Sequence, residues 1–378
     1  MASEDHDFEE INHTYVFGKK ITWESQQSGA VGRMKLKNID VPLKELKSLL
    51  GESPNAEKLF TIFEKAYLAN KNLADATRHL INEMFGQYGL VIIDGDDKKL
   101  KKLFLPIIKK DVLQNVFTKT IQRSSSQISD YYKKAQAHVR SINFFKLSLS
   151  KRELIEVAVT ESEIESHPDR FSPNVLMRPL LQESILPNIA YIGGGAELSY
   201  WMQLKTTFEQ ENIPFPMLVL RNSAMVLSEK QSKDIIDLGF SIEDLFLGEH
   251  QLQKDFVLNQ NKSRVSLENE RKEIKSVFDR ILEKTSDDGL RRSVQANLQK
   301  QLNQIQRIEK KLIRFEKKKH ELVLLKISKL KSQLFPKGCL QERHDSFISF
   351  YLQYGDNFIK ILKNSLNPLD ANFVILSN

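Results

Sequence analysis

The stretch from Phe171 to Ser223 reads FSPNVLMRPLLQESILPNIAYIGGGAELSYWMQLKTTFEQENIPFPMLVLRNS, and its order of elements predicts the fold of the core. An apolar run at 188–192 is followed by the glycines 193–195 and then by an amphipathic segment at 196–210. A second apolar run, 217–220, comes after two prolines. Strand, glycine turn, helix and strand make one βαβ crossover, in which the two strands are parallel and the helix packs on the sheet. We therefore predict an α/β protein with a parallel sheet.

The N-terminal half is predicted to be mostly helical outside two short regions. Apolar residues recur at helical spacing from 42 to about 86 and again after residue 96. Residues 15–17 and 20–24 are predicted to form a hairpin around Gly18. LVIID at 90–94 is a short apolar run between two glycines, and we predict that it is a buried strand.

The C-terminal half carries the pattern of a long coiled coil. Apolar residues follow one another at steps of three or four, and this seam consists of Leu298, Leu302, Ile305, Ile308, Leu312 and Phe315. The interruption at 287–289 predicts two long helices folded into an antiparallel hairpin. A shorter first helix would leave apolar positions of the second uncovered, and monomers rarely expose such a patch. We therefore predict a homodimer through the coiled coil, with crossed or antiparallel arms.

Composition excludes several classes of protein. The 378 residues are 40% hydrophobic and 28% charged, which is typical of soluble globular proteins. No apolar run is long enough to span a membrane, and the acidic N-terminus does not resemble a signal peptide, so a cytoplasmic location is expected. The single cysteine, Cys339, excludes a disulfide framework, a multi-cysteine zinc site and, without a base nearby in sequence, a predicted catalytic thiol.

The net charge of +7 does not predict nucleic-acid binding. Residues 291–331 contain 13 Lys and Arg against 3 Asp and Glu, and the rest of the chain is close to neutral. A basic stripe of this kind can contact phosphates. A solvated helix face is the simpler interpretation, and nucleic acid is not an expected partner.

EDHDFEEINH at 4–13 is the densest cluster of ionisable groups in the chain. Histidines and carboxylates can bind a metal ion, and close neighbours can also act as a general acid and base. An acidic helix start with incidental histidines is the third interpretation, and the residues leave all three open. The spacing matches no closed zinc motif, so we predict no structural metal.

The glycine turn and the end of the second predicted strand suggest a ligand site. Gly193–Gly195 would let a ligand approach the backbone at a helix N-terminus, although the sequence is neither GxGxxG nor a P-loop, and a tight turn at a sheet edge is the alternative. Glu197 would repel an anion there, or bind an amine or a ribose hydroxyl. Arg221 and Asn222 lie where open α/β sheets bind ligands. Arg221, like Arg178 farther upstream, suits a carboxylate or phosphate, or else a salt bridge at the rim.

Five segments in order resemble the BshC family of bacillithiol biosynthesis: EDHDFEEINH, FGQYGLVIID, residues 171–205, IPFPMLVLRNS and FPKGCLQER. The resemblance implies an α/β fold, mostly helical by residue count, with an incomplete Rossmann-like core, helical insertions and a long coiled-coil arm that serves dimerisation. The core is expected to be incomplete because family members carry further strands before the EDHD segment. The implied division is 1–41 for the start of the core, 42–140 for a helical connecting region, 141–250 for the βαβ core, 251–335 for the coiled-coil hairpin and 336–378 for a C-terminal segment on the core.

The activity that this resemblance implies is the addition of cysteine to the amino group of glucosaminyl-malate, with ATP activating the cysteine carboxyl and Mg²⁺ accompanying the ATP. In that interpretation the catalytic residues are Glu4, Asp5 and His6, and Gly193, Gly194 and Gly195 bind the nucleotide or another anion. The substrate-binding residues would be Asn12, Arg178, Glu197, Tyr200, Trp201, Arg221 and Asn222. A degenerate or fragmentary, non-catalytic dimeric scaffold, whose coiled coil binds another protein, is the alternative.

Overall fold

The computed structural model describes residues 7–132, 134–148 and 151–377, and these fall into two compact units. The first unit comprises residues up to 223 together with 345–374, and the second comprises 224–344 with the end of the chain. The main division therefore follows Ser223, whereas the sequence interpretation placed a boundary after residue 250.

The first unit begins with a short helix, a hairpin and three helices of the predicted helical region. Their bounds are α1 Phe8–Ile11, β1 His13–Val16, β2 Lys19–Thr22, α2 Asp40–Leu50, α3 Pro54–Leu68 and α4 Leu73–Phe85. β1 and β2 pair antiparallel, and Gly18 between them has a φ of +77°, which glycine adopts without strain. The predicted hairpin is thus confirmed. Ser53 accepts a hydrogen bond from the N–H of Ala56 and so caps α3, which has proline at its first position.

Four helices and a small antiparallel sheet follow. Their bounds are α5 Lys98–Leu103, α6 Leu105–Gln114, α7 Val116–Ser129, β3 Phe144–Leu147, β4 Arg152–Leu154, α8 Glu161–Ser166 and β5 Phe171–Pro173. β3 lies between β4 and β5. The strand predicted at 90–94 is wrong: these residues form no strand, and Val91 is 77% exposed. A short apolar run becomes a buried strand only where neighbouring strands take its backbone hydrogen bonds, and none of the described strands pairs with 90–94.

The predicted βαβ crossover is present. After α9 Met177–Ile185, its elements are β6 Ala190–Gly193, α10 Gly195–Met202, α11 Lys205–Gln210 and β7 Met217–Leu220. β6 and β7 pair in parallel, with Ala190 opposite Met217 and Gly193 opposite Leu220. The single helix predicted at 196–210 is instead two helices. The chain turns between them at Gln203, whose buried carboxamide bonds the backbone of Ala137 and the hydroxyl of Ser125. The predicted α/β class with a Rossmann-like core is confirmed.

Apolar clusters hold the first unit together, and two of them are large. One surrounds Trp201, which is 1% exposed and lies against Phe208 and Tyr191. The other joins the β1–β2 hairpin to α2 and α3 through Trp23 and its neighbours. The Trp23 indole N–H donates to the carbonyl of Lys37, so the buried ring leaves no polar atom unpaired.

The second unit is built on long helices. Its elements are β8 Ser223–Leu227, α12 Glu229–Asp237, α13 Glu249–Val265, α14 Glu268–Glu283, α15 Asp288–Lys319, α16 Glu321–Leu334 and α17 Gln341–His344. The next two helices, α18 Ile348–Tyr354 and α19 Asn357–Ser365, belong to the first unit. The last strand, β9 Phe373–Ser377, pairs with β8. Within the described part of the chain, no helix combines the length and apolar character needed to cross a membrane.

The predicted helical hairpin is present, but its seam differs from the prediction. α14 and α15 pack together across a short link, and α13 also packs on α15. The second helix of the predicted hairpin breaks at His320, so α15 has 32 residues. Leu298, Leu302 and Ile305 are half-buried as predicted, whereas Ile308 is 52% exposed and Phe315 is 61% exposed.

Candidate anion-binding site at the end of the parallel strands

The glycine turn and Arg221 form one structure at the carboxyl ends of β6 and β7. The backbone N–H of Arg221 donates to the carbonyl of Gly193 over 2.9 Å, which continues the parallel ladder by one residue. A Cβ at Gly194 would lie 3.4 Å from Cζ of Arg221, so the guanidinium packs directly on this glycine. The absence of a side chain at Gly194 therefore determines where the Arg221 charge lies.

Arg221 is exposed and is directed to solvent rather than into an ion pair. Among residues 7–132, 134–148 and 151–377, no carboxylate forms a salt bridge with its guanidinium. The salt-bridge interpretation of Arg221 thus finds no partner in the described residues. A guanidinium in this position can bind a carboxylate or phosphate through two parallel hydrogen bonds.

Glu197 holds the turn in place. One of its carboxylate oxygens accepts the backbone N–H of Gly194 over 2.7 Å, and the other lies 3.3 Å from the hydroxyl of Tyr191. The carboxylate thus satisfies a free N–H group at the start of α10, where a negative charge is also favoured by the helix dipole. Because both oxygens have partners, Glu197 supports the glycine turn rather than presenting a free base.

Two phenols lie beneath the turn and keep their protons at neutral pH. Burial raises the pKa of Tyr200 well above its usual range, Tyr191 and Glu197 raise it further, and Arg178 opposes the shift. Burial, followed by the charge of Glu197, also raises the pKa of Tyr191. Both hydroxyls are therefore donors. Trp201 stacks on the Tyr191 ring with the centroids 4.1 Å apart, and its burial makes it a support for that ring.

Arg178 supplies the second positive charge. It is the second residue of α9 and lies close enough to Tyr200 to act on its pKa. It also lines a cavity of about 280 Å³. The other lining residues are apolar, apart from two amides and a glycine: Val91, Ile93, Gly95, Leu100, Leu181, Gln182, Ile185, Leu186 and Asn188. Arg178 therefore lies between the tyrosine pair and a cavity of small-molecule size.

Other predicted site residues lie elsewhere or have structural partners. The side-chain amide of Asn222 donates to the carbonyl of Asn367 over 2.7 Å, so it anchors the segment after α19. Asn12 is in the hairpin region, pairs with His13 over 3.0 Å, and lines a separate, mostly apolar cavity of about 260 Å³. Glu4, Asp5 and His6 lie outside the described residues.

The structure thus brings together Gly193–Gly195, Glu197, Tyr200, Trp201, Arg178 and Arg221. The sequence interpretation did not include Tyr191, which contacts Glu197 and stacks on Trp201. Its only sequence signal was its position on β6, two residues before the glycines. Among the described residues, no group of three or more His, Cys, Asp or Glu is arranged to hold a metal ion.

Comparison with known proteins gives two matches that together cover the chain. The family model described as "Bacillithiol biosynthesis BshC, N-terminal Rossmann-like domain" matches residues 1–222. The model described as "Bacillithiol biosynthesis BshC, C-terminal coiled-coil domain" matches residues 224–378. The chain belongs to the BshC family.

Curated relatives in the BshC family bear one name, "Putative cysteine ligase BshC". The protein of Flavobacterium psychrophilum is 38% identical over 396 residues, which cover 100% of this chain and 74% of the relative. That of Christiangramia forsetii is 39% identical with the same coverage of both chains. A more distant relative from Bacillus cereus strain B4264 is 26% identical and covers 97% of this chain.

The BshC domains agree with the division of the structure. The two family models meet between residues 222 and 224, and the two compact units divide after Ser223. Every described residue of the candidate site therefore lies in the Rossmann-like BshC domain. Arg221 is next to the last residue that this domain's model covers.

Proposed function

We propose that this chain is a ligase of bacillithiol biosynthesis that joins cysteine to the amino group of glucosaminyl-malate. Membership of the BshC family and the name of its curated relatives support the ligase class. The observation that supports an anionic substrate is the Arg221 guanidinium on Gly194, at the carboxyl edge of the parallel strands. Arg178 adds a second cation near Tyr200.

The reaction forms one carbon–nitrogen bond. The cysteine carboxyl would be activated at the expense of ATP, as an acyl phosphate with release of ADP or as an acyl adenylate with release of pyrophosphate. The sugar amine would then attack the carbonyl carbon, and phosphate or AMP would leave as the amine loses a proton. Arg221 and Arg178 would bind the malate carboxylates or the leaving phosphate, and the protonated Tyr200 would donate a hydrogen bond to them. Tyr191, whose hydroxyl bonds Glu197, would hold the glycine turn in place. Glu4, Asp5 and His6 are the proposed proton acceptors.

Magnesium enters this proposal only with the nucleotide, because Mg²⁺ usually binds phosphate oxygens and few protein carboxylates. The described residues offer no carboxylate cluster of their own for it. The described part of the chain would therefore contribute positive charge: its arginines would bind negatively charged groups of the substrates at the ends of β6 and β7.

The test uses purified protein with cysteine, glucosaminyl-malate and ATP–Mg²⁺, and mass spectrometry to detect the cysteinyl product. Product should form only when all three reactants are present. Arg221→Ala should lower kcat/KM roughly ten- to hundredfold, since a lost charged hydrogen bond costs about 1.5–3 kcal/mol. Arg123→Ala, an exposed arginine on α7, is the matched control and should leave the rate unchanged.

Absence of product at every substrate concentration contradicts the proposal. A second measurement addresses the pathway in cells: deletion of the gene should remove bacillithiol, and unchanged thiol levels would reject this role.

If both assays are negative, the non-catalytic scaffold becomes the better hypothesis. The apolar residues exposed on the arm, Ile308 and Phe315, favour that second function.

A further inference from the structure

Three buried polar residues connect α6 to the first turn of α9, which carries Arg178. Asp111 lies on α6, Asn143 precedes β3 and Asn174 follows β5. Asp111 and Asn143 are completely buried, and Asn174 is 6% exposed. Buried polar groups of this kind are costly unless every one is hydrogen-bonded.

The three side chains form a continuous series of hydrogen bonds. The two carboxylate oxygens of Asp111 accept the backbone N–H of Asn143 over 2.6 Å and its Nδ2 over 3.1 Å. Oδ1 of Asn143 accepts Nδ2 of Asn174 over 3.0 Å. Oδ1 of Asn174 in turn accepts the backbone N–H groups of Leu176 and Met177 over 2.9 and 3.1 Å. The series therefore ends as a cap on α9.

The carboxylate fixes the direction of the series together with the backbone of Arg140, since Nδ2 of Asn143 also donates to the carbonyl of Arg140 over 3.2 Å and Oδ1 of Asn143 also accepts the N–H of Arg140 over 3.3 Å. An ionised aspartate only accepts hydrogen bonds, so the amide nitrogen of Asn143 must face Asp111 and its oxygen must face Asn174. The amide nitrogen of Asn174 then faces Asn143, which leaves its oxygen for the N–H groups of α9. Reversing either carboxamide would place N–H against N–H in a buried site. An amide at position 111 would remove the carboxylate's part of this bias and leave only the two bonds to the backbone of Arg140.

We propose that Asp111 is a positioning residue for Arg178. Its carboxylate orients Asn143 and Asn174, and this orientation fixes the start of α9. The backbone N–H of Arg178 itself donates to the carbonyl of Asn174 over 3.0 Å, so Arg178 is hydrogen-bonded directly to a residue of the series. The part of this inference that concerns anion binding rests on the proposed function. The part that concerns α9 does not.

The surroundings of Asp111 contain charges, but these are paired with one another or exposed. α6 packs on α5, α7, α8 and β3. The paired groups are Lys98 with Asp169, Lys101 with Asp96, Lys109 with Glu161 and Glu165, Lys110 with Glu211, and Lys146 with Glu163. The exposed groups are Lys99, Lys102, Lys119, Arg123 and Arg140.

Burial is therefore the main cause that raises the pKa of Asp111 to about 6, and the bonds from Asn143 oppose it. Below that pH one carboxylate oxygen carries a proton and is no longer a pure acceptor. The start of α9 should then lose its fixed orientation. The series is thus expected to hold α9 at neutral pH and to loosen in mild acid.

The test compares Asp111→Asn with Asp97→Asn, whose carboxylate caps α5 at the surface through the N–H of Lys99. Hydrogen exchange read by mass spectrometry on residues 174–186 reports the start of α9. Calorimetric titration with sulfate, whose charge is constant between pH 5 and 8, measures the affinity for an anion at Arg178 and Arg221. At pH 7.5 Asp111→Asn should lower both the protection of 176–178 and the sulfate affinity about five- to tenfold, as expected for a lost helix cap. Asp97→Asn should match the wild type.

The wild type should lose protection and sulfate affinity as the pH falls from 7.5 to 5, whereas Asp111→Asn should show no such step. A lower melting temperature with wild-type protection and affinity would overturn the proposal and leave Asp111 a purely structural residue. If Asp111→Asn does not fold, the wild-type pH series decides, and constant protection across pH 6 refutes the inference. A wild-type chain that binds no sulfate refutes the anion role of Arg178, while the exchange data still test the series.

Discussion

At Gly193 a side chain has no room, and this residue gives a direct test of the turn. A Cβ there would lie 2.6 Å from Cε1 of Tyr191 and 3.1 Å from Leu198, so Gly193→Ala must push the Tyr191 ring away from Trp201. We expect a loss of about 1–3 kcal/mol in the free energy of unfolding, as for overpacked cores. Gly195→Ala is the matched control, because nothing lies within 4 Å of its Cβ and alanine favours a helix. Urea unfolding measures both, and equal effects would contradict the predicted contact.

Asp111 also predicts a pH dependence of stability. Its pKa is raised from 3.8 to about 6 in the folded protein, so the folded state favours the protonated form. The stability from this group is complete below pH 3.8 and is lost as the pH rises through 6. This free energy belongs to the whole fold, so it can be greatest in acid while the start of α9 alone loses its fixed orientation there. Relative to Asp111→Asn, which does not titrate, the wild type should lose about 2 kcal/mol between pH 4.5 and 7.5. Urea unfolding of both proteins across this range is the measurement, and a constant difference would show that Asp111 does not titrate there.

At the scale of the element, the heptad pattern of the arm predicted packing for residues that are exposed in the structure. The predicted seam continued from Ile305 to Ile308 and Phe315, but in the structure the packed face of α15 continues through Ile313 and Glu316, which are buried. A straight α-helix has 3.6 residues per turn, so residues seven apart drift around it unless the helices supercoil. The break at His320 then starts α16 with a new orientation. Ile308 and Phe315 consequently face solvent.

At the scale of the whole molecule, these exposed residues predict the interface of a homodimer. Ile308 and Phe315 lie on α15, Leu322 and Leu325 lie on α16 beyond the break at His320, and all four are more than half exposed. Several exposed large apolar side chains on one arm are rarely left uncovered in a monomer. Ile308→Glu with Phe315→Glu should reduce the mass measured by light scattering from two chains to one while helicity is retained. Leu302→Glu should instead unfold the arm, because Leu302 packs within its own hairpin.

A single-chain mass for the wild type at micromolar concentration, unchanged on dilution, would contradict the predicted dimer. A dimer that persists in Ile308→Glu with Phe315→Glu would place the interface elsewhere.

The sequence by itself determined the elements whose signals are local. The βαβ crossover, the hairpin at Gly18 and the antiparallel helices of the arm each depend on the spacing of apolar residues and on glycines within about 50 residues. The glycine turn and Arg221 were identified as a site for the same reason, since the end of a parallel strand predicts where ligands bind.

Only the tertiary structure decided which side chains meet. Asn222 was predicted to bind substrate, but it bonds the backbone of Asn367, 145 residues away. Asp111, Asn143 and Asn174 carry no shared pattern, and packing alone brings them together. The apolar run at 90–94 has the composition of a buried strand but no strand beside it. Local sequence encodes what a segment prefers, whereas partners far along the chain depend on how all segments pack, and this information is not contained in any one of them.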